Sequence, residues 1–111
     1  MIKNINADQA KEEFDNGTEF VDVREYNEFL QVRIPGSKLI PMSEMNARFQ
    51  EFPKENPVVV YCRSGSRSAS LLFQLYSMGY ENLLNLRDGI IEWHQKQYPM
   101  ESGQPGETKA V

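Results

Sequence analysis

The stretch that most constrains the fold is Val58-Val59-Val60-Tyr61-Cys62-Arg63-Ser64-Gly65-Ser66-Arg67-Ser68. A β-branched run ends in the only cysteine of the chain, and a polar loop containing Gly65 follows. Ala69 to Met78 then reads as a helix. Such an apolar run suits a strand covered on both faces, as in a parallel sheet. In open parallel sheets, ligands bind beyond the carboxyl ends of the strands, where Cys62 sits. The loop can turn its N–H groups inward as an anion nest, and the helix start adds positive dipole. Both favour thiolate over thiol, so Cys62 is expected to have a lowered pKa and to act as a nucleophile.

Strands and helices alternate around this stretch. Ile2 to Ile5 reads as a first strand. Asn6 caps a helix with Gln9 in capping-box position, and Ala7, Ala10 and Phe14 share its apolar face. Glu19 to Val23 reads as a strand, and Glu25 to Leu30 as a short helix held by Tyr26 and Phe29. Lys38 to Ile40 is a short strand. Ser43 is the expected cap of a helix carrying Met45, Phe49 and Phe52. In the helix after the cysteine loop, Ala69, Leu72, Phe73 and Tyr76 form one apolar stripe and Leu71, Leu75 and Met78 another, which predicts a largely buried helix. Gly79 ends it. Leu83 to Leu86 is the last strand and Asp88 to Gln97 the last helix, anchored by Ile90 and Trp93. The alternation implies an α/β fold with a parallel sheet covered on both faces. Past Pro99 the composition turns to Gly, Pro, Ser and Glu, which predicts a mobile C-terminal tail over 100–111 after a domain spanning 1–99.

Composition bounds the function. At 111 residues the chain is one domain with a core of its own. No run approaches the ~20 apolar residues of a membrane span, so no membrane partner is expected. The net charge of −4 argues against nucleic acid as a partner. One cysteine excludes an internal disulfide and a multi-thiolate metal site. A reactive lone thiol and the lack of an apolar leader point to a cytoplasmic location. Within this acidic chain, Arg63 and Arg67 make the cysteine loop a place for a small anion.

The loop Cys62-Arg63-Ser64-Gly65-Ser66-Arg67 resembles the active-site loop of the rhodanese-like sulfurtransferases. Val21-Asp22-Val23-Arg24-Glu25 is similar to that family's early Asp-x-Arg segment, and Ile34-Pro35-Gly36-Ser37 to its Ile-Pro-Gly-Ala turn. Leu86-Arg87-Asp88-Gly89-Ile90-Ile91-Glu92-Trp93 resembles its late Gly-Gly-x-x-x-Trp segment. The four matches fall in the family's order. Three positions depart from its pattern: Val32 and Arg33 stand where Gly-His is usual, and Asp88 where the first late glycine is usual. The resemblance implies a three-layer α/β/α fold with a five-stranded parallel sheet and the cysteine strand in its centre.

The resemblance also implies an activity: thiosulfate sulfurtransfer. A Cys62 thiolate takes sulfane sulfur from an anionic donor such as thiosulfate, or from a persulfide. It carries that sulfur as a persulfide and yields it to cyanide, a thiol or an acceptor protein, without cofactor or metal. Arg63, Ser64, Gly65, Ser66 and Arg67 are the expected substrate-binding residues. Asp22 and Arg24 are expected to brace the site as a charged pair. His94, the only histidine, is expected to play a surface role. Two other readings are a protein-binding module without turnover and a phosphatase or arsenate reductase on the same fold. Phosphatase-type loops place their arginine after five intervening residues; here four separate Cys62 from Arg67, which favours sulfur.

Overall fold

The structure, a computed structural model, describes residues 2–111. Five strands form one parallel sheet: β1 (Lys3–Ile5), β2 (Glu19–Asp22), β3 (Lys38–Leu39), β4 (Val58–Tyr61) and β5 (Leu83–Leu86). Their order is β1-β5-β4-β2-β3, which puts β4 in the centre. All four β4 residues are fully buried, as a strand covered on both faces requires. Side-chain alternation divides the core. Val58, Val60 and Cys62 join Val21, Val23 and Leu83 on one face. Val59 and Tyr61 join Ile5, Phe20 and Leu86 on the other.

Helices α1 (Ala7–Asp15), α2 (Tyr26–Gln31), α3 (Met45–Arg48), α4 (Ser66–Ser77) and α5 (Gly89–Gln95) complete the fold. The first core face packs against Leu71, Leu72 and Leu75 of α4, with Met45 of α3 at its margin. The second packs against Ala10 of α1 and against Ile90 and Trp93 of α5. Phe14, Phe20 and Tyr98 surround the Trp93 ring edge-to-face, with centroids 5.1–5.9 Å apart. Local signals set the element ends. The Asn6 side chain accepts from the Gln9 N–H, and the Gln9 side chain accepts from the Asn6 N–H, forming a capping box on α1. Gly79, at φ +97°, ends the α4 segment.

Three expectations change. Helix α4 is not largely buried: it lies on one sheet face, so Leu71, Leu72 and Leu75 are covered while Phe73 is 72% exposed, with Tyr76 and Met78 also exposed. Ser43 does not cap a long helix. Its hydroxyl donates to Glu25 at 2.5 Å, and α3 is a single turn flanked by 3₁₀ turns at Met42–Glu44 and Phe49–Glu51. The third concerns the expected mobile tail over 100–111. Met100 is buried, and β6 (Glu101–Ser102) pairs antiparallel with β7 (Lys109–Ala110).

Arg33 is the physical reason for the third change. Its side chain is 2% exposed and its guanidinium stacks over Phe29 at 4.2 Å. Nη1 donates to the carbonyls of Phe29 and Gly103, both at 2.9 Å, and Nε donates to Glu101 at 3.1 Å. The backbones of Arg33 and Glu101 exchange two further hydrogen bonds at 2.9 Å. The residue standing where histidine is usual therefore clamps the C-terminal segment to α2. Arg33→Ala removes the cation from Glu101, which keeps only the Gly36 N–H, and takes the Arg33 donor from the Phe29 and Gly103 carbonyls, at a cost of about 3 kcal/mol. The expected result is a lower thermal midpoint and faster proteolytic cleavage between residues 103 and 110.

Candidate active site

The β4 ladder delivers Cys62 to the site. Asp22 of β2 lies in register with Tyr61, and Asn85 of β5 with Val60. Cys62 therefore emerges between the ends of two neighbouring strands, at the carboxyl edge of the sheet. Its side chain is buried. The chain then turns through Arg63, Ser64 and Gly65 into α4.

Gly65 makes that turn, at φ +97°, a region that side chains other than hydrogen disfavour. Its backbone also lies against the Arg87 carbonyl, which a Cβ would meet at 1.8 Å. Gly89 mirrors it: a Cβ there would lie 2.1 Å from the Arg63 carbonyl. The Ile90 and Ile91 N–H groups at the start of α5 donate to the carbonyls of Cys62 and Arg63, at 3.0 and 3.2 Å. The cysteine loop is thus pinned from behind by α5, its carbonyls turned away from the sulfur and its N–H groups left for it.

Those N–H groups converge on Cys62 Sγ. Gly65 N–H donates at 3.1 Å and Ser68 N–H at 3.4 Å, and the Ser68 hydroxyl lies 3.4 Å away. Ser68 is the third residue of α4, and no side chain of the Gly65 cap supplies an acceptor. The sulfur therefore takes the place of an N-cap oxygen, at the positive end of the helix dipole. Burial pushes the Cys62 thiol up; the Ser68 hydroxyl and the N–H groups of Ser68, Gly65 and Ser64 outweigh it, and the net direction is down.

The other expected residues divide. Asp22 and Arg24 form a buried fork, with Nε to Oδ1 at 2.9 Å and Nη2 to Oδ2 at 2.6 Å, and Arg24 also donates to the Val32 carbonyl. The pair lies buried at the end of β2. Arg63, Ser64 and Ser66 are exposed, at the rim of the loop. Arg67 points to α2, where Glu28 receives it at 3.4 Å. Burial pushes the Glu28 carboxyl up, but the Arg67 bond, the Glu25 N–H and the charges of Arg67 and Arg24 together hold it below its ordinary range, and Glu28 in turn raises Arg67. A cavity of about 540 Å³ opens beside Arg63, lined also by Arg24, Glu28, Ile90, Ile91 and Met100. His94 lies on its exposed rim.

Two residues escaped the sequence reading. Ser68 stands there only as the last residue of the stretch around Cys62. Asn85 appeared only as part of an apolar strand. Yet Asn85 is 1% exposed, on the sheet face that carries Cys62, and its carbonyl receives the Ser68 hydroxyl at 2.5 Å. The available signal was an asparagine inside Leu83-Leu84-Asn85-Leu86, since an amide in a central strand costs stability unless partnered.

The Rhodanese-like domain family matches residues 6–96, which include the strand, the cysteine loop and the pinning helix. The chain belongs to that family. A rhodanese-related protein from Thermoplasma volcanium has the same fold, with a TM-score of 0.82 and 30% identity over 88% of this chain and 96% of that one. A sulfurtransferase of Allochromatium vinosum is 35% identical over 102 residues, covering 90% of this chain and 95% of the relative. A protein of Arabidopsis thaliana named thiosulfate sulfurtransferase 18 is 26% identical, covering 89% and 83%. The same stretch also matches 25% of a longer Mycobacterium tuberculosis relative. Its likeness to named sulfurtransferases gives this rhodanese-like domain a role in sulfur transfer.

Proposed function

We propose that this protein moves sulfane sulfur from thiosulfate or a persulfide to a thiophilic acceptor through a persulfide on Cys62. The observation that carries the reading is the convergence of the Gly65 and Ser68 N–H groups on Cys62 Sγ at 3.1 and 3.4 Å. The thiolate attacks the outer sulfur of the donor. The S–S bond breaks with its electron pair on the leaving group, sulfite or a thiolate, and Cys62 is left with one added sulfur. The terminal sulfur of that persulfide is anionic, and donors already aimed at the site hold it without reorganisation. An acceptor thiol, a protein thiol or cyanide then removes it. Two half-reactions on one nucleophile predict ping-pong kinetics.

Phosphoryl chemistry fits less well. A phosphatase loop needs a guanidinium on the oxyanion, and here Arg67 is engaged by Glu28 outside the loop. Aryl phosphates are accordingly expected to be inert. Hydrolysis of one that disappears in Cys62→Ser would favour phosphorus over sulfur.

Arg63 is the loop cation at the cavity mouth. Arg63→Ala is expected to raise the KM for thiosulfate about fivefold, the effect of losing one exposed ion pair of about 1 kcal/mol, with kcat little changed. Added salt should weaken the wild type by the same route. Arg67→Ala releases α4 from α2 and is expected to lower kcat as the N–H groups lose aim. Steady-state kinetics at low and high salt check both. Because the Cys62 pKa is lowered, the rate should rise with pH and level off below the ordinary thiol range.

A further inference from the structure

The Ser68 hydroxyl has one proton and three acceptors within reach: Asn85 Oδ1 at 2.5 Å, the Gly65 carbonyl at 3.2 Å and Cys62 Sγ at 3.4 Å. It can serve one of them well. Beside a neutral thiol, a weak acceptor, the short bond to the Asn85 carbonyl wins. Beside a thiolate or a persulfide anion, a charge-assisted bond to sulfur is about twice as strong as a neutral one. Asn85 is held ready for this competition. Its Nδ2 donates to Asn4 Oδ1 of β1 at 2.8 Å, which fixes the carbonyl edge toward Ser68. The Ser68 N–H stays on the sulfur whichever way the hydroxyl turns, since the backbone of α4 fixes it.

We propose that Ser68 is a two-position hydrogen-bond donor governed by Asn85. Its hydroxyl rests on the Asn85 carbonyl while Cys62 is neutral, and turns to the sulfur when that sulfur becomes an anion. No proton leaves Ser68 in the exchange; one hydrogen bond is broken and another made. The hole therefore gains a donor when charge arrives and gives it up when the sulfur is discharged. Asn85 is a positioning residue here, acting through Ser68 without touching sulfur. The charged groups on the elements packed around the loop are Arg63 in the loop itself, Arg67 of α4 with its partner Glu28 of α2, the Asp22–Arg24 pair at the end of β2, and the Arg87–Asp88 pair of the β5–α5 turn. The substitutions below leave all of them in place.

The test is titration of the Cys62 thiolate by its ultraviolet absorbance, with Cys62→Ser as the blank. Ser68→Ala removes the movable donor and is expected to raise the thiol pKa by about one unit, the worth of one hydrogen bond. Asn85→Leu removes the competing acceptor and is expected to lower it by up to about one unit. In the double variant the pKa is that of Ser68→Ala alone, because no proton remains to redirect. A shift of Asn85→Leu in the same direction as Ser68→Ala, no shift, or an equal shift in the Ser68→Ala background overturns the proposal. A merely structural Asn85 would give one of those results. Asn85→Val, β-branched and suited to a strand, replaces Asn85→Leu if the latter does not fold. Should neither fold, Ser68→Ala decides, and an unchanged pKa overturns the proposal. The titration reads the thiol whatever the substrate, so its failure leaves the sulfur-transfer reading standing, and the converse holds.

Discussion

Cys62→Ser is expected to lower thiosulfate-dependent thiocyanate formation at least ~1000-fold, a loss typical of removing a covalent nucleophile. The hydroxyl that replaces the thiol has a pKa far above any value the loop can reach, so no anion forms to attack sulfur. The fold should survive. A serine oxygen is still an acceptor at the start of α4, so the Gly65 and Ser68 N–H groups that now meet Sγ keep a partner. Thermal melting should therefore stay near wild type while turnover disappears. Substantial activity in a well-folded Cys62→Ser protein would place the chemistry on another group.

The second large effect is expected at Gly65. Alanine there meets two obstacles: a backbone at φ +97° and a Cβ 1.8 Å from the Arg87 carbonyl. The first alone costs about 1–2 kcal/mol. The second involves main chain on both sides, so nothing flexible can give way, and the loop must part from the β5–α5 turn. The total is expected to exceed about 3 kcal/mol, the tail of single-substitution effects. Activity should fall with it, since Gly65 N–H is the nearest donor to the sulfur. Gly36→Ala is the control. Its φ is +77° but nothing lies within 4 Å of the added Cβ, so it should cost only about 1–2 kcal/mol and leave kcat unchanged. Denaturant unfolding of both variants, beside their kinetics, checks the contrast.

What was legible in the sequence was local. The β-branched run of β4, the Asn6–Gln9 box, the Asp22–Arg24 fork and the glycine turn at Gly65 each involve residues within a few positions, and each reads from chemistry at fixed spacing. What escaped lay between distant segments. Ser68 meets Asn85 from 17 residues away, Arg67 meets Glu28 from 39, and Arg33 meets Glu101 from 68. No periodicity links such pairs. Arg33 was noticed as a departure from the family pattern, but its partner lay in a stretch with no pattern of its own. Phe73 and Tyr76 of one apolar stripe and Met78 of the other, all exposed, misled for a related reason. Apolar spacing shows how much of a helix can be covered, and the packing neighbours decide how much is.

Intact-mass spectrometry after brief treatment with thiosulfate tests the central claim most directly. The account predicts a gain of one sulfur atom, about 32 Da, located on Cys62, absent in Cys62→Ser, and lost on adding cyanide or a thiol. An unchanged mass after thiosulfate and after a low-molecular-weight persulfide, with no thiocyanate formed, would contradict it.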